Sequence, residues 1–407
     1  MFQAAYIPYG GYWSTPFVKW QGNFANLHPL TFAAEIARRA LQARDISPEV
    51  FTNLYFGTTV PAKGSFYGAP WLAGLIGADG ITGPTFAQAC ATSARVLGSA
   101  AQAVETEQDA APVILCLAAD RTSNGPHLLY PNPLGPGGRG EAEDWVWDNF
   151  NCDPLAGNSM LETAENVARA ANISTAEQNE VVLIRYNQYQ QALAGDAAFH
   201  KRYMVTPIEV KTPPYPPLKG GSKGGVVVTD DEGVFPTTAE GLARLKPVLP
   251  EGIVTFGGQT YPADGNAGLI VATREQARAL SRNPSLEIQL LAFAEGRAAR
   301  GYMPQATVPA ARRALEWAGL RLSDIKAIKT HNPFAVNDCY LSRELGIPLE
   351  GMNNYGCSLI WGHPQGPTGL RLIIELIEEL TLLGGGYGLF TGCAAGDTAA
   401  ALVVKVS

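Results

Sequence analysis

The chain has 407 residues, of which 46% are hydrophobic, and it can bury a large core in two or three domains. A net charge of −7 and a pI near 5.4 argue against a nucleic-acid partner. No apolar stretch reaches the roughly 20 residues that span a bilayer, and residues 1–10 lack a signal-peptide pattern, so we expect a cytoplasmic protein without a membrane partner.

Helical and strand patterns alternate along most of the chain, which indicates an α/β architecture with sheets covered by helices. In chain order they predict a helix over 31–44, a strand over 50–56, a helix over 93–106, a strand over 113–118, a helix over 175–193, strands over 267–273 and 287–293, a helix over 308–317, a strand over 327–330, a helix over 367–383, and strands over 388–391 and 400–406. Between residues 120 and 252 the alternation breaks down, with proline and glycine frequent near 131–138 and 213–225. This part is predicted to be an inserted lobe that closes over a long substrate.

Six cysteines are scattered without a Cys-x-x-Cys pair, which is typical of a reduced intracellular protein and predicts no metal site in the chain. One of them, Cys90, directly precedes the predicted helix over 93–106. The positive end of a helix dipole favours a thiolate, so we predict that Cys90 is a nucleophile. The alternative is a buried apolar thiol, which is our interpretation of Cys116, Cys152 and Cys339.

His363 lies in a turn, Gly362-His363-Pro364, that runs into the predicted helix over 367–383. Glycine beside a histidine indicates close approach of the backbone to another group. A catalytic His363 would take the thiol proton of Cys90; a structural turn residue is the alternative. Each of the two residues precedes a helix that leads to a strand, which is the pattern of a duplicated unit.

Two further residues offer acyl-transfer chemistry. His331, at the end of a predicted strand, would donate to a thioester oxygen directly or through a water; a contact at a helix N-terminus is the alternative. Cys393 lies in a turn of small residues whose backbone N–H groups could form an oxyanion hole while the thiol moves a proton. The alternative for Cys393 is a structural role.

Together these segments resemble the thiolase family of acyl-CoA acyltransferases over essentially the whole chain. The matching motifs are Cys90 before its helix, Gly362-His363-Pro364, Cys393 in its turn, and His331-Asn332-Pro333-Phe334, with further similarity over residues 160–166 and 255–260. The resemblance implies two similar α/β halves stacked as five layers, α-β-α-β-α. It places the first half in residues 1–120 and 252–273, a loop lobe over CoA and the acyl pocket in 121–251, and the second half in 274–407.

The resemblance also implies roles for the site residues. Cys90 becomes the acyl thioester, His363 activates it, and Cys393 deprotonates CoA or, in condensation, the α-carbon of an acyl-CoA. His331 and a water hold one thioester oxygen, and the amides of Cys90 and Ala395 hold the other. Contacts to the substrate or CoA are expected from Ser159, Met160, Thr260, Phe334 and Gly362. Coenzyme A is the expected substrate, and no tightly bound cofactor is expected.

Some positions depart from the family pattern. The glycine turn is replaced by Ala394-Ala395-Gly396, and Phe235-Pro236 stands where many thiolases place an arginine near the CoA phosphates. The phosphate contact is therefore expected from Lys201, Arg202, Lys219 or Lys223. Ser159 replaces a pocket histidine of acetoacetyl-specific members.

The aromatic-rich stretch over 130–151 indicates a substrate other than acetoacetyl-CoA, with packing of the lobe as the alternative. It also resembles thiolases that act on bulky or aromatic 3-oxoacyl-CoA such as benzoylsuccinyl-CoA, whose thiolase works with a small zinc-containing OB-fold subunit, and this resemblance implies such a substrate and partner. The resemblance also predicts a homodimer or homotetramer. Two alternatives are a condensing synthase of the same superfamily and a thiolase-like scaffold subunit without activity. Cys393 argues against a synthase, because synthases usually carry His or Asn there, and the presence of Cys90, His363 and Cys393 argues against a scaffold.

Overall fold

The computed structural model describes residues 1–211 and 225–407. Its first part contains β1 Tyr6–Ile7, β2 Tyr12–Ser14, β3 Val18–Lys19, α1 Pro29–Gln42, β4 Asn53–Gly57, α2 Gly68–Ile76, β5 Thr85–Phe86, α3 Thr92–Thr106 and β6 Val113–Arg121. The helices predicted over 31–44 and 93–106 and the strand predicted over 113–118 are confirmed. The strand predicted over 50–56 begins only at Asn53, because Pro48–Val50 form a short 3-10 turn that the Ser47 side chain caps.

The part of the chain predicted to be a lobe contains β7 His127–Tyr130, β8 Glu141–Asp144, α4 Trp147–Asn151, α5 Met160–Ala170, α6 Thr175–Ala197, β9 Ile208–Val210, β10 Val226–Val228 and α7 Ala239–Ala243. Strands β7 and β8, and likewise β9 and β10, pair in small antiparallel sheets. The helix predicted over 175–193 is confirmed, and helical backbone is lost at Ala194. Most of the proline- and glycine-rich stretch near 213–225 lies outside the described residues.

The remainder of the chain contains β11 Ala263–Ala272, α8 Arg274–Ala279, β12 Ile288–Arg297, α9 Thr307–Ala318, β13 Ile325–His331, α10 Ala335–Leu345, α11 Ser358–Trp361, α12 Gln365–Leu382, β14 Gly386–Ala394 and β15 Thr398–Val406. Each predicted helix and strand in this stretch is found, with ends shifted by a few residues. The ends differ because they depend on caps, such as the left-handed Gly319 that ends α9, rather than on hydrophobic period.

A large sheet runs through the molecule in the order β13-β14-β15-β12-β1-β11-β6-β4-β5. Its two halves meet at the two-residue strand β1, where Tyr6 pairs with Ala272 of β11 on one side and with Gln289 of β12 on the other. Strand β4 is parallel to β5 and β6, and β13 is parallel to β14, whereas the remaining ladders of this path are antiparallel. The short β1 is therefore the link between the halves.

Helices cover both faces of each half. Along β6, Ile114 and Cys116 pack in the central cluster with α3 and α12, whereas Leu115 and Leu117 pack against α1 and α2 on the opposite face. Helix α9 covers the outer face of β12, β14 and β15. The layers are therefore α-β-α-β-α, which confirms the predicted fold; the three-domain division of the sequence stays a prediction. No helix in residues 1–211 and 225–407 combines the length and apolar character needed to cross a bilayer.

A buried ion pair joins the lobe to the central helix α12. The Arg371 guanidinium is fully buried and donates to both carboxylate oxygens of Asp231, at 2.6 and 2.8 Å, and to Glu375 at 3.0 Å. It also lies over the ring of Trp361, 4.2 Å from the centroid. Because buried charges lose their hydration, each member of this cluster depends on the others being present.

Replacing Arg371 by leucine is expected to lower the free energy of unfolding by about 3–5 kcal/mol, because Asp231 would be left buried without its cation and Glu375 would keep only Lys329. Urea denaturation followed by circular dichroism measures the loss. The control Arg274→Leu removes an exposed ion pair with Glu287 and is expected to leave stability nearly unchanged. Equal losses in the two variants would contradict a special role for the buried cluster.

Candidate active site

Cys90 is presented by a tight turn at the start of α3. The turn is closed by Thr92, whose hydroxyl donates to the Ala89 carbonyl at 2.7 Å and accepts the Gln88 N–H at 2.8 Å. Ala89 has a φ of 43°, a left-handed conformation that is strained for a residue with a Cβ. Strain of this kind is often found where the backbone must aim a functional side chain, and here it precedes the thiol.

His363 is held just before α12. Gly362 has a φ of 89°, and a Cβ there would lie 2.6 Å from the Tyr261 ring, so this position requires glycine. The backbone N–H of His363 donates to the Tyr261 carbonyl at 2.9 Å. The backbone N–H of Gly366, in the first turn of α12, donates to the Asp120 carboxylate at 2.6 Å. The backbone on both sides of the imidazole is thus fixed.

The structure brings Cys90 and His363 together. The Cys90 Sγ lies 3.0 Å from the His363 Nε2, and the His363 Nδ1 lies 2.7 Å from the Thr368 hydroxyl oxygen. The single Thr368 hydroxyl proton is donated to the Pro364 carbonyl at 2.5 Å, so this oxygen accepts the N–H of His363 Nδ1. Nε2 is therefore the free acceptor that faces the thiol.

Both partners are neutral at pH 7. Burial raises the pKa of the Cys90 thiol to about 12 and lowers the pKa of the His363 imidazole to about 3. The backbone N–H groups of Ala395 and Cys90 lower the thiol pKa, but burial has the larger effect. The favourable effect of the helix N-terminus on a thiolate is therefore outweighed by burial of the sulfur.

His331 is buried beside the pair, with its ring stacked on His363 at 4.1 Å between centroids. Its Nδ1 lies 2.8 Å from the Ser358 hydroxyl, which donates to the Asn332 side-chain oxygen at 3.1 Å and so accepts from Nδ1. Its Nε2 has no hydrogen-bond partner in the described residues. Burial and His363 lower its pKa well below the usual value, so Nε2 is an acceptor. Direct donation to a thioester oxygen does not fit this tautomer, whereas action through a water does.

Cys393 is fully buried near the end of β14, where burial and the nearby Cys90 raise its pKa. The turn after it carries Ala395, whose backbone N–H lowers the pKa of the Cys90 thiol. In the same turn Asp397 has a φ of 57°, and its carboxylate accepts the Gly301 N–H at 2.9 Å. The Gly301 carbonyl accepts from Asn166 of α5 at 3.0 Å. An aspartate thus secures a turn in which the family pattern has glycine.

The residues expected to contact the substrate or CoA lie in several different elements of the structure. Ser159 caps α5 by accepting the Glu162 N–H at 3.2 Å, and Met160 begins that helix and packs on the central core. Thr260 donates its hydroxyl to the Ser358 carbonyl at 2.5 Å, and the buried Phe334 precedes α10. The capping contact accounts for Ser159 without a ligand; contacts of these residues with CoA or substrate stay predictions.

The four cations expected near the CoA phosphates divide into two groups. Arg202 donates to the buried Glu378 at 2.5 Å, and Lys201 forms an exposed ion pair with Asp196. Lys219 and Lys223 lie outside the described residues. The Arg202 guanidinium is therefore already paired with a buried carboxylate.

Cys90, His331 and His363 each offer a ligand atom, and these atoms lie within 4.8 Å of one another. No spacing pattern in the sequence indicates such a set, because the residues come from three distant segments. A thiolate and two imidazoles are ligands that zinc accepts. The His363 Nε2, however, is already paired with the Cys90 thiol, and the rings of His331 and His363 are stacked on each other. The absence of a metal site stays a prediction.

Sequence reasoning missed Thr368, Ser358 and Asn337. The first two orient the imidazoles, and Asn337 donates its side-chain N–H to the Cys393 Sγ at 3.2 Å. Thr368 has one available signal, since it lies five residues after His363 and thus one helical turn into α12.

Comparison with known proteins gives the same class. Two family models match the chain: thiolase, N-terminal domain, over residues 12–275, and thiolase, C-terminal domain, over residues 286–406. A β-ketoadipyl-CoA thiolase of Pseudomonas knackmussii is 31% identical over 347 residues, which are 82% of this chain and 81% of that protein.

Solved structures agree as well. Human mitochondrial 3-ketoacyl-CoA thiolase matches with a TM-score of 0.88 at 25% identity, over 99% of each chain. The human enzyme solved in complex with CoA matches with a TM-score of 0.87 at 25% identity, over 100% of this chain and 98% of that one.

The fold, the paired thiol and imidazole, and these similarities define an acyltransferase that acts with coenzyme A. The chain belongs to the thiolase family. The resemblance seen in the sequence is thus confirmed for the family, the fold and the reaction class.

Replacing Thr368 by valine is expected to slow acylation of Cys90 about tenfold. The loss of one buried hydrogen bond costs roughly 1–1.5 kcal/mol, and the tautomer of His363 with its proton on Nδ1 is no longer favoured. Timed quenching and intact mass measure the rate. Thr368→Ser keeps the hydroxyl and is expected to retain most of the wild-type acylation rate. Equal rates for Thr368→Val and the wild-type protein would contradict the orienting role of Thr368.

A neutral Cys90–His363 pair predicts how alkylation depends on pH. Because the thiol pKa is about 12, the thiolate fraction and the rate of Cys90 alkylation by iodoacetamide should rise about tenfold per pH unit from pH 6 to pH 9. Peptide mass spectrometry follows Cys90 separately from the other thiols. A rate that is flat over this range would indicate a thiolate–imidazolium pair instead.

Proposed function

We propose that the chain catalyses thiolytic cleavage of a 3-oxoacyl-CoA by CoA through an acyl thioester on Cys90. The observation that carries the proposal is the 3.0 Å contact between the Cys90 Sγ and the His363 Nε2. Geometry of this kind lets the imidazole take the thiol proton as the sulfur attacks a carbonyl carbon.

In the first half-reaction, His363 takes the Cys90 proton and the sulfur bonds to the 3-oxo carbon. The bond between C2 and C3 breaks, and the carbanion at C2 takes the proton of Cys393, which releases a shortened acyl-CoA. The amides of Cys90 and Ala395, which lie against the Cys90 sulfur, support one oxyanion, and His331 with a water supports the other.

In the second half-reaction, the Cys393 thiolate takes the proton of the CoA thiol. The CoA sulfur bonds to the acyl carbon, the bond to Cys90 breaks, and the Cys90 sulfur recovers its proton from His363. Both cysteines end as thiols, so the protons balance over the cycle. Retention of a second buried thiol beside the first supports this cycle, since each half-reaction moves a proton at Cys393.

For the substrate we propose a bulky or aromatic 3-oxoacyl-CoA such as benzoylsuccinyl-CoA. In the aromatic-rich stretch over 130–151, the Trp145 indole N–H donates to the Thr59 carbonyl at 2.9 Å, and the Thr59 hydroxyl contacts Asp120, which holds the first turn of α12. This contact supports a role of the aromatic stretch near the site. Tyr130 and Trp147 are exposed at the surface of the lobe.

We further propose a homodimer or homotetramer, with a small zinc-containing OB-fold subunit as an additional partner. Strand β5 is one edge of the sheet, and Phe66 and Tyr67, which precede it in the chain, are 95% and 70% exposed. An open edge beside exposed aromatic side chains is typically covered in an assembly, which supports the oligomer. The zinc-containing subunit and a cytoplasmic location rest on the sequence.

Mixing the protein with benzoylsuccinyl-CoA, 3-oxoadipyl-CoA and acetoacetyl-CoA is expected to give an acyl adduct on Cys90 that free CoA discharges, with fastest formation from the bulky substrate. Intact mass followed by peptide mapping locates the adduct. Cys90→Ser should abolish it. Cys152→Ser should leave it unchanged, because Cys152 is an exposed thiol of the lobe and its interpretation as a buried thiol is wrong.

The other outcomes separate the alternatives. An adduct discharged by acetyl-CoA into a longer product, and not by CoA, would identify a condensing synthase. The absence of an adduct with every acyl-CoA tested would identify a scaffold subunit.

A further inference from the structure

The proposed cycle leaves a thiolate on Cys393 between its two half-reactions, and the inference below rests on that cycle. The Cys393 side chain is completely buried, and no water-exposed surface is available to solvate a negative sulfur. Burial and the nearby Cys90 both disfavour the charge. Stabilisation must therefore come from donors within the protein.

Asn337 supplies such a donor. It lies in the first turn of α10, is 2% exposed, and its Nδ2 lies 3.2 Å from the Cys393 Sγ. Its Oδ1 accepts the Phe334 N–H at 3.3 Å, which fixes the amide so that the N–H face points at the sulfur. In the described part of the chain, Asn337 is the side chain that donates to this sulfur.

The charges facing Cys393 are otherwise unfavourable or neutralised. Cys90 faces it from the turn before α3, and Asp338 faces it from α10. The Asp338 carboxylate is compensated by Arg185, which donates to it at 2.8 Å. Among these groups only the Asn337 amide and the backbone N–H of Cys393 itself favour the thiolate.

We propose that Asn337 is a positioning residue that stabilises the Cys393 thiolate between the two half-reactions by donating its side-chain N–H to the sulfur. The amide is aimed before the charge forms, so no reorganisation is needed when the proton leaves. A hydrogen bond to a charged group is worth about tenfold or more in the ionisation equilibrium. Asn337 thereby sets how readily Cys393 gives up and recovers its proton.

The decisive variant is Asn337→Asp. Aspartate has the same shape and keeps the oxygen that accepts the Phe334 N–H, but it replaces the donor at the sulfur by an acceptor and adds a negative charge. Asn337→Ala removes the donor without adding a charge and is therefore measured beside it. We expect the rate of Cys393 alkylation by iodoacetamide to fall to about one tenth of the wild-type rate, or lower, at each pH from 7 to 9, because a smaller fraction of the thiol is ionised. The kcat for thiolysis should fall by a similar factor.

Cys357 is an internal control in the same samples. It is fully buried and accepts from Asn332 at 3.2 Å, a contact that matches the one at Cys393. Its alkylation profile should not change in Asn337→Asp, whereas general loosening of the fold would raise alkylation of both thiols. If Asn337→Asp does not fold, Asn337→Ala removes the same donor and carries the same expectation.

An alkylation profile of Cys393 that is unchanged in a folded variant would overturn the proposal. The alkylation measurement uses no substrate, so it reports on Asn337 whether or not the chain is a thiolase. Failure of the proposed function would appear separately, as the absence of an acyl adduct in the wild-type protein.

Discussion

The close packing of two helix starts is the constraint on which the site depends. Cys90 precedes α3 and His363 precedes α12, so their contact requires these helices to approach closely in the central layer. Gly369 permits this, because a Cβ there would lie 3.0 Å from the Cβ of Ser93, and the Ser93 hydroxyl donates to the Gly366 carbonyl. A larger residue at 369 would separate the helices and with them the reacting pair.

Desolvation by this packing decides the charge state of the site. Two neutral groups face each other at rest, and charge appears only when the thiol proton moves to the imidazole. The donors that meet this charge, including the Ala395 amide, are already in place. Fixed dipoles in a dry site stabilise developing charge more than water does, because they do not have to reorient.

Much of the fold was predictable from the sequence, for a physical reason. Helices α3 and α12 and strands β6 and β14 are buried against apolar neighbours, so their hydrophobic periods are strong. Cys90 and His363, which the structure brings into contact, were predicted as a pair because each lies at a helix start with distinctive turn residues; the role of Cys393 stays a prediction.

The remaining features depend on tertiary contacts. The pKa of Cys90 is set by what surrounds the sulfur, which the order of residues near it does not reveal. The roles of Thr368 and Ser358 depend on where a single hydroxyl proton points, and that direction follows from the neighbouring carbonyl or amide oxygen. Asp397 could not be foreseen as the anchor of its turn, because its partner Gly301 is 96 residues away.

That anchor has a mechanical consequence. From Asn166 on α5, through the backbone of Gly301, to the carboxylate of Asp397, a chain of two hydrogen bonds leads to the loop that carries the Ala395 amide. Because Gly301 contributes both its carbonyl and its N–H to this chain, helix α5 and the turn after β14 are held in a fixed relation by three residues that are far apart in the sequence.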